Sequence, residues 1–370
     1  MTHKFDIKQT DGIISPQLIY YKDGIIRNTE EAIRIAGGTE RLWPHVKSHK
    51  CFEMVRLCQS MGIDKFKCAT ISEAEMLGMA GVRQAVLAYP LVGPNIVRFV
   101  KLVEAFPKTK FYAIGDDLGM VKLLGETAAA HNISIPFLVD VDMGMERTGV
   151  PLGKVGNFAI VAHGYTGIRL EGLHCYDGNH HESDYTERLL ACKETDDKVD
   201  AIVAALKQKG IELPFIIMGG SPSFPCHAAL TKYYLSPGTI FLQDSGYQAK
   251  FPDVKCEPAA VVLCRVISHP GTGKFTTDLG YKAIAADPQG VRGILQNWDY
   301  ATPILQNEEH WVYQMNKGHE DEVPPVGTVL YVTPIHICPT SALYPSILVA
   351  QGGKVIETWE VTARNRKISI

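Results

Sequence analysis

Residues 110–142 read KFYAIGDDLGMVKLLGETAAAHNISIPFLVDVD. Lys110–Ile114 is a short apolar run, Asp116–His131 repeats its apolar residues at helical spacing, and Pro136–Asp142 is a second apolar run. Strand, helix and strand in that order make the repeating unit of a parallel α/β sheet. The pattern extends in both directions. Strand-like runs recur at Leu42–Ser48, Lys65–Thr70 and Ala85–Pro90 before it, and at Leu170–Tyr176, Phe215–Ser221 and Tyr234–Ile240 after it. Helical patterns at Ser72–Ala80, Asn95–Ala105 and Asp184–Lys209 lie between them. Ser72 with Glu75 has the spacing of a capping box and predicts a helix start there. Eight runs at regular spacing predict an α/β fold built on a closed (β/α)8 barrel of the TIM type. An open doubly wound sheet is the alternative.

The pattern changes after about residue 255. Alternating runs such as Ala259–Ser268 and Thr328–Thr333 are separated by turn clusters such as His269-Pro270-Gly271-Thr272-Gly273. This predicts a C-terminal antiparallel β domain. The expected organisation is a barrel over residues 26–255 and a β domain over 256–370, joined by an N-terminal strand from residues 1–25.

Composition limits the function. The chain has 370 residues, with Lys+Arg 37, Asp+Glu 40 and a net charge of −3, so nucleic-acid binding has no electrostatic footprint. No apolar stretch reaches the ~18 residues of a membrane span. The opening MTHKFDIKQTDG lacks the apolar centre of a signal peptide, which points to the cytoplasm. Nine Cys occur without a CxxC pair, so neither a zinc ribbon nor a redox dithiol is indicated, and reduced buried thiols are expected.

In a (β/α)8 barrel the chemistry sits at the C-terminal strand ends. Strand 7 is followed by Gly219-Gly220-Ser221-Pro222-Ser223, and strand 8 by Ser236-Pro237-Gly238-Thr239. Glycine and hydroxyl clusters at these two places are where barrels commonly hold a phosphate, through backbone N–H groups and hydroxyl donors. Two ordinary turns are the plain alternative. Lys47, after strand 1, stands between His45 and His49. A barrel lysine near a phosphate site suits a Schiff base with pyridoxal phosphate, and a solvated lysine is the alternative. His336-Ile337-Cys338 is the next constellation. In an extended segment residues i and i+2 face the same way, so this His and Cys can share one metal. Imidazole with thiolate suits Zn²⁺, and a shell left incomplete by two ligands is the kind a catalytic site keeps. Gly271-Thr272-Gly273-Lys274 lacks phosphate-loop spacing and is expected to be a hairpin turn.

Four motifs in this order carry a resemblance. They are Pro44-His45-Val46-Lys47-Ser48-His49-Lys50, Asp142-Met143-Gly144-Met145-Glu146-Arg147-Thr148-Gly149, the two glycine–hydroxyl loops, and Pro334-Ile335-His336-Ile337-Cys338. The chain resembles the fold-type III (alanine racemase-like) pyridoxal-phosphate enzymes, and within them the D-threonine aldolase and D-serine dehydratase group. The resemblance implies pyridoxal 5'-phosphate on Lys47, with Arg147 at the pyridine nitrogen and Tyr176 along the cofactor. It implies a phosphate held by Gly220, Ser221, Gly238 and Thr239. It also implies a divalent metal on His336 and Cys338, Zn²⁺ foremost with Mn²⁺ or Mg²⁺ as alternatives. His180 or His181 is the candidate base. The implied protein is a homodimeric lyase acting on a small D-β-hydroxy amino acid. It cleaves that substrate to glycine plus an aldehyde, or eliminates to a keto acid plus ammonia. No nucleic-acid or membrane partner is implied. An amino-acid racemase of the same fold is the alternative enzyme, and a small barrel-only cofactor-binding protein the non-enzymatic one. The chain departs from the pattern at Trp43, where the group usually has Arg. It carries Cys338 as the dehydratases do, yet Gly172-Leu173-His174-Cys175-Tyr176-Asp177-Gly178 looks aldolase-like.

Overall fold

The computed structural model describes residues 4–370; residues 1–3, the start of the segment expected to join the β domain, lie outside the described residues. The chain divides into two compact units. One consists of Ala32–Lys47, Phe52–Gly238 and Ala363–Ile370, and the other of the described residues up to Glu31, Ser48–Cys51 and Thr239–Thr362.

The first unit is the barrel. Lys65–Cys68, Gln84–Leu87, Lys110–Gly115, Ile135–Asp142, Ile168–Tyr176, Phe215–Met218 and Tyr234–Leu235 pair in parallel in that order. A segment around Leu42 and His45 pairs with both ends of this row, through the bridges Leu42↔Leu235 and His45↔Lys67, and closes it. The seam is held by backbone bonds from Trp43 to Leu235, from Leu235 to Arg41, from His45 to Pro237 and from Lys67 to Pro44. The expected α/β barrel is thus present, with its first and last strands shorter than the sequence predicts. Pro44 has no N–H to give to a ladder, and the chain turns into a 3-10 helix at Val46–Ser48. Tyr234–Leu235 likewise stops short of Pro237.

Helices alternate with the strands. Asp184 caps Tyr185–Gln208 by accepting from the N–H groups of Thr186 and Glu187, as its side-chain type favours. The capping box predicted at Ser72 lies two residues earlier. Thr70 caps Ile71–Met79 by accepting from the Glu73 N–H, and the Glu73 carboxylate reaches back to the Ala69 N–H. Glu75 instead accepts from Ser369. Ser72 and Thr70 both have hydroxyls, so residue spacing alone selected the wrong one. No helix among the described residues is long and apolar enough to cross a membrane.

The barrel interior is closed by an aromatic layer. The Trp43 ring packs edge-on to Phe215 with centroids 4.8 Å apart, and Phe215 stacks on Tyr112 at 4.7 Å and on Tyr234 at 4.8 Å. Val86, Ile114, Leu138 and Ile217 complete this core. Trp43, where an Arg was expected by resemblance, is therefore a packing residue. Arg41 ties the end of a neighbouring loop, donating to the carbonyls of Thr231 and Tyr233. Trp43→Ala should destabilise the protein by about 3–5 kcal/mol, the usual cost of emptying a buried aromatic site. Urea unfolding checks this, and a loss under about 1 kcal/mol would show that the layer collapses around the gap.

The second unit is a mostly antiparallel sheet. Gln17–Tyr21 lies between Ala260–Gly271, its antiparallel neighbour, and Ser346–Gln351, its parallel one. Val329–Pro334 adds to the far side of Ala260–Gly271. Alternate residues point into one core of Phe5, Ile7, Ile19, Val261, Leu263, Tyr331 and Ala350, the period-2 pattern of a half-buried sheet. Ala260–Gly271 folds back on Lys274–Thr277 with Gly271 opposite Lys274, so Gly271-Thr272-Gly273-Lys274 is a two-residue hairpin as expected.

Candidate active-site residues

In the barrel unit, Lys47, Arg147 and Tyr176 converge. Lys47 sits in the 3-10 turn that follows the seam, and its N–H is 3.4 Å from His45 Nδ1. Its Nζ stands 5.7 Å from the centroid of the Tyr176 ring, and the Arg147 guanidinium stands 4.9 Å from the same centroid. Arg147 is exposed on a loop built by the Asp142 motif. Asp142 Oδ1 accepts from the N–H groups of Gly144 and Glu146, which folds the loop over its own strand end. Gly149 closes it. Its φ is +108°, and a Cβ there would lie 2.4 Å from the Asp142 nitrogen, so only glycine fits.

The glycine–hydroxyl loops are ordered within themselves. Ser221 Oγ accepts from the Gly238 N–H at 3.0 Å, and Ser223 Oγ accepts from the Gly220 N–H at 3.2 Å. A Cβ on Gly220 would meet Tyr176 Cε2 at 2.9 Å. Gly220 therefore lets this loop lie against the ring that Lys47 and Arg147 also face.

Below the loops is a buried polar network that sequence reasoning missed. Asp177 Oδ1 accepts from Ser223, and Oδ2 lies 2.7 Å from His227 Nε2, whose Nδ1 bonds Asp196. Burial alone would discharge His227, but the carboxylates of Asp177 and Asp196 overcome it and push its pKa up to about 10. Burial also works against the Asp177 charge, and His227 with Ser223 nevertheless holds it below the ordinary carboxylate range. The network anchors the strand end that carries Tyr176. His180 is buried beside it, with Nδ1 3.8 Å from Glu182 Oε1 and Nε2 without a hydrogen-bond partner among the described residues. His181, the other candidate base, is exposed.

Thr239, His336 and Cys338 belong to the β unit. His336 itself has an extended backbone, but the extended run that the i, i+2 reading needs does not continue to Cys338. The strand ends at Pro334, His336 occupies the N-cap position of the helix Ile337–Leu343 without a side-chain cap hydrogen bond, and Cys338 is in its first turn. The two side chains nevertheless hydrogen-bond each other. Thr239 Oγ1 is 3.3 Å from Cys338 Sγ, and His336 Nδ1 is 2.6 Å from Asp287 Oδ2. Burial lowers the affinity of His336 for a proton, but Cys338 and Asp287 more than offset it and raise the pKa to about 9. Asp244 joins this group by accepting from the Ile337 N–H at 3.1 Å, and burial pushes its carboxyl up to about 6. A soft thiol, an imidazole and carboxylate oxygens make a donor set suited to a borderline divalent metal. Of the nine cysteines Cys338 alone is partly exposed.

Comparison with known proteins places this arrangement. The family model described as "Alanine racemase, N-terminal domain" matches residues 22–244, and the model described as "Putative serine dehydratase domain" matches residues 259–350. A D-threonine aldolase of Arthrobacter sp is 28% identical over 87% of this chain and 85% of its own length. A D-threo-3-hydroxyaspartate dehydratase of Delftia sp. (strain HT23) is 23% identical over 86% of this chain and 89% of its own. The crystal structure of a D-threonine aldolase from Filomicrobium marinum superposes with a TM-score of 0.89 at 26% identity, covering 98% of this chain and 99% of that one. With a barrel of this topology and a family model matched over most of its length, the chain belongs to the alanine racemase N-terminal domain family, within the fold-type III pyridoxal-phosphate enzyme group.

Proposed function

We propose that the protein is a lyase for a D-β-hydroxy amino acid, working with pyridoxal 5'-phosphate and a divalent metal. The observation that carries the reading is the His336–Cys338 pair with Asp287 behind it, a metal-type donor set that a racemase has no use for. The similarity to aldolase and dehydratase sequences over most of their length supports it.

Lys47, Arg147, Tyr176, Gly220, Ser221, Gly238 and Thr239 are the residues proposed to hold the cofactor. The Tyr176 ring, with the Gly220 loop lying directly against it and Lys47 and Arg147 facing it, fits a flat anionic group near Lys47. When bound, pyridoxal phosphate supplies an electron sink for the pair released at the α-carbon, and a divalent metal supplies a Lewis acid for the β-hydroxyl. The chain's own groups do the rest. Arg147 is permanently charged, so it orients a ring nitrogen without giving it a proton, which limits the sink and disfavours racemisation. His180, with a free buried Nε2, is placed to hold a proton taken from a hydroxyl, which leads to Cα–Cβ cleavage. Lys47 is placed to hold the α-proton, which leads to loss of the hydroxyl. Zn²⁺ is the metal that thiolate plus imidazole favours over Mg²⁺. A homodimer is the implied assembly, and light scattering checks it.

Product analysis tests the reading. Purified protein should convert D-threonine to glycine and acetaldehyde, or D-serine to pyruvate and ammonia, and a chelator should stop either reaction. Interconversion of D- and L-amino acids without cleavage would sink the lyase and establish the racemase.

A further inference from the structure

The ring of His336 is held at one edge. Its Nδ1 is 2.6 Å from Asp287 Oδ2. Neutral imidazole has one N–H, and a carboxylate at Nδ1 fixes that N–H there, which leaves the lone pair on Nε2. The two side chains are 40% and 53% exposed, and an exposed ion pair by itself contributes little. This pair differs in how its two segments are joined. Thr340, buried in the helix Ile337–Leu343, donates to the His336 carbonyl at 2.8 Å and accepts from the Ala285 N–H at 3.0 Å. Tyr344, directly after the helix, donates to the Ala283 carbonyl at 2.7 Å. Ile284 and Ala285 are themselves buried. Asp287 follows two residues later, and Pro288 after it disfavours a helical backbone at that position.

Other bonds fix the backbone of the pair. Asp244 Oδ2 accepts from the Ile337 N–H at 3.1 Å, while its Oδ1 accepts from the Tyr247 N–H at 2.8 Å. The peptide between His336 and Cys338 is thereby tied to a second helix start at Ser245. None of these backbone bonds reaches the imidazole, which can still turn about its bond to Cβ. Such a turn would exchange the edge that carries Nδ1 for the edge that does not. Asp287 is placed to stop it.

We propose that Asp287 is a positioning residue for the metal, fixing the His336 ring so that Nε2 is the nitrogen presented to a divalent cation shared with Cys338. A carboxylate on the far nitrogen of a metal-bound histidine sets its tautomer and its orientation, and makes the ring a more basic ligand. Asp287 thus acts through His336. The proposal deepens the reading given above and rests on His336 being a metal ligand.

The test is a Zn²⁺ titration of the cofactor-loaded protein after its metal has been stripped, read by competition with a coloured chelator. The unmodified chain is compared with His336→Ala, Asp287→Ala and Asp287→Asn. Binding that disappears in His336→Ala identifies the site. Asp287→Ala should weaken that binding by about 10- to 100-fold, the range for losing a group that orients a metal-bound histidine. Asp287→Asn keeps an oxygen that accepts from Nδ1–H, so it should recover most of the loss. The melting temperature of the metal-free protein should be the same with Asp, Ala or Asn at position 287, a result that a merely structural role would not give. Asp287→Ser, too short to reach Nδ1, takes the place of Asp287→Ala if that variant does not fold. Unchanged Zn²⁺ affinity in the folded truncation overturns the proposal. So does an equal loss in Asp287→Asn, which would tie the effect to charge and not to the ring's orientation. If His336→Ala binds Zn²⁺ as the unmodified chain does, the metal reading of His336 itself fails, and the role of Asp287 falls with it.

Discussion

Lys47→Ala protein should be colourless, and its lyase activity should fall by at least about a thousandfold, in the range of losing a residue that both binds covalently and moves a proton. The fold should survive, because Lys47 is half-buried at the end of a turn and is not part of the aromatic layer. Borohydride reduction of the unmodified enzyme should fix a pyridoxyl group on Lys47, located by peptide mapping. Three other lysines make the mapping informative. Lys50 follows in the same motif, Lys65 is tied to Glu40, and Lys67 shares the Tyr176 ring. A label on any of these, or a visible band that persists in Lys47→Ala, would remove Lys47 from the chemistry.

The second large effect is expected at Cys338. Cys338→Ala should lower lyase activity by about a hundred- to a thousandfold, since a Lewis acid contributes several kcal/mol and each 1.4 kcal/mol is tenfold. A chelator should do the same to the unmodified enzyme and nothing further to the variant. Neither treatment should abolish the visible band, because neither removes the Lys47 amine proposed to hold the cofactor. Cys338→Asp keeps an anionic ligand but hardens it, so activity should come to depend on Mn²⁺ or Mg²⁺. His336 and Asp287 remain in that variant to complete the donor set. Full activity in metal-free Cys338→Ala would take the metal out of the reaction.

The barrel was legible because seven apolar runs are real strands and the helices between them are amphipathic. Its ends were less so. Leu42–Ser48 and Tyr234–Ile240 look like full strands by composition, but Pro44 and Pro237 cut the ladders short, and only tertiary pairing shows how little strand suffices. The capping error at Ser72 has the same origin, two hydroxyls close together with a glutamate three residues after each. At the site, Lys47, Arg147 and Tyr176 were found by motif, and the structure brings them around one ring. Lys67 had a signal that went unused. In Lys65-Phe66-Lys67-Cys68 every residue is buried, so a charged side chain in so short a strand must have a dedicated partner. Asp244 and Asp287 had none, because nothing local links them to His336 across the intervening chain. His336 and Cys338 were paired for the wrong reason. Side-chain contact at i, i+2 arises here because the helix begins at Ile337, between the N-cap residue His336 and Cys338 in the first turn.

The short closure of the barrel has a consequence for how the protein tolerates heat. Leu42 and His45 make the bridges on one side of the gap, and Leu235 and Lys67 receive them. Lys47 continues from the first side, while Gly238, whose N–H donates to Ser221, continues from the last strand. A molecule bonded at Lys47 and held at Gly238, as proposed, would be a clasp across a join made by isolated bridges. Its binding free energy then counts directly against local opening, since a ligand that binds only the closed form stabilises that form in proportion to its occupancy. Amide protons near Trp43 and Leu235 are the ones that loading would slow most. On the proposed binding mode the cofactor would serve partly as a fastener, and an unloaded molecule would be an unfastened one.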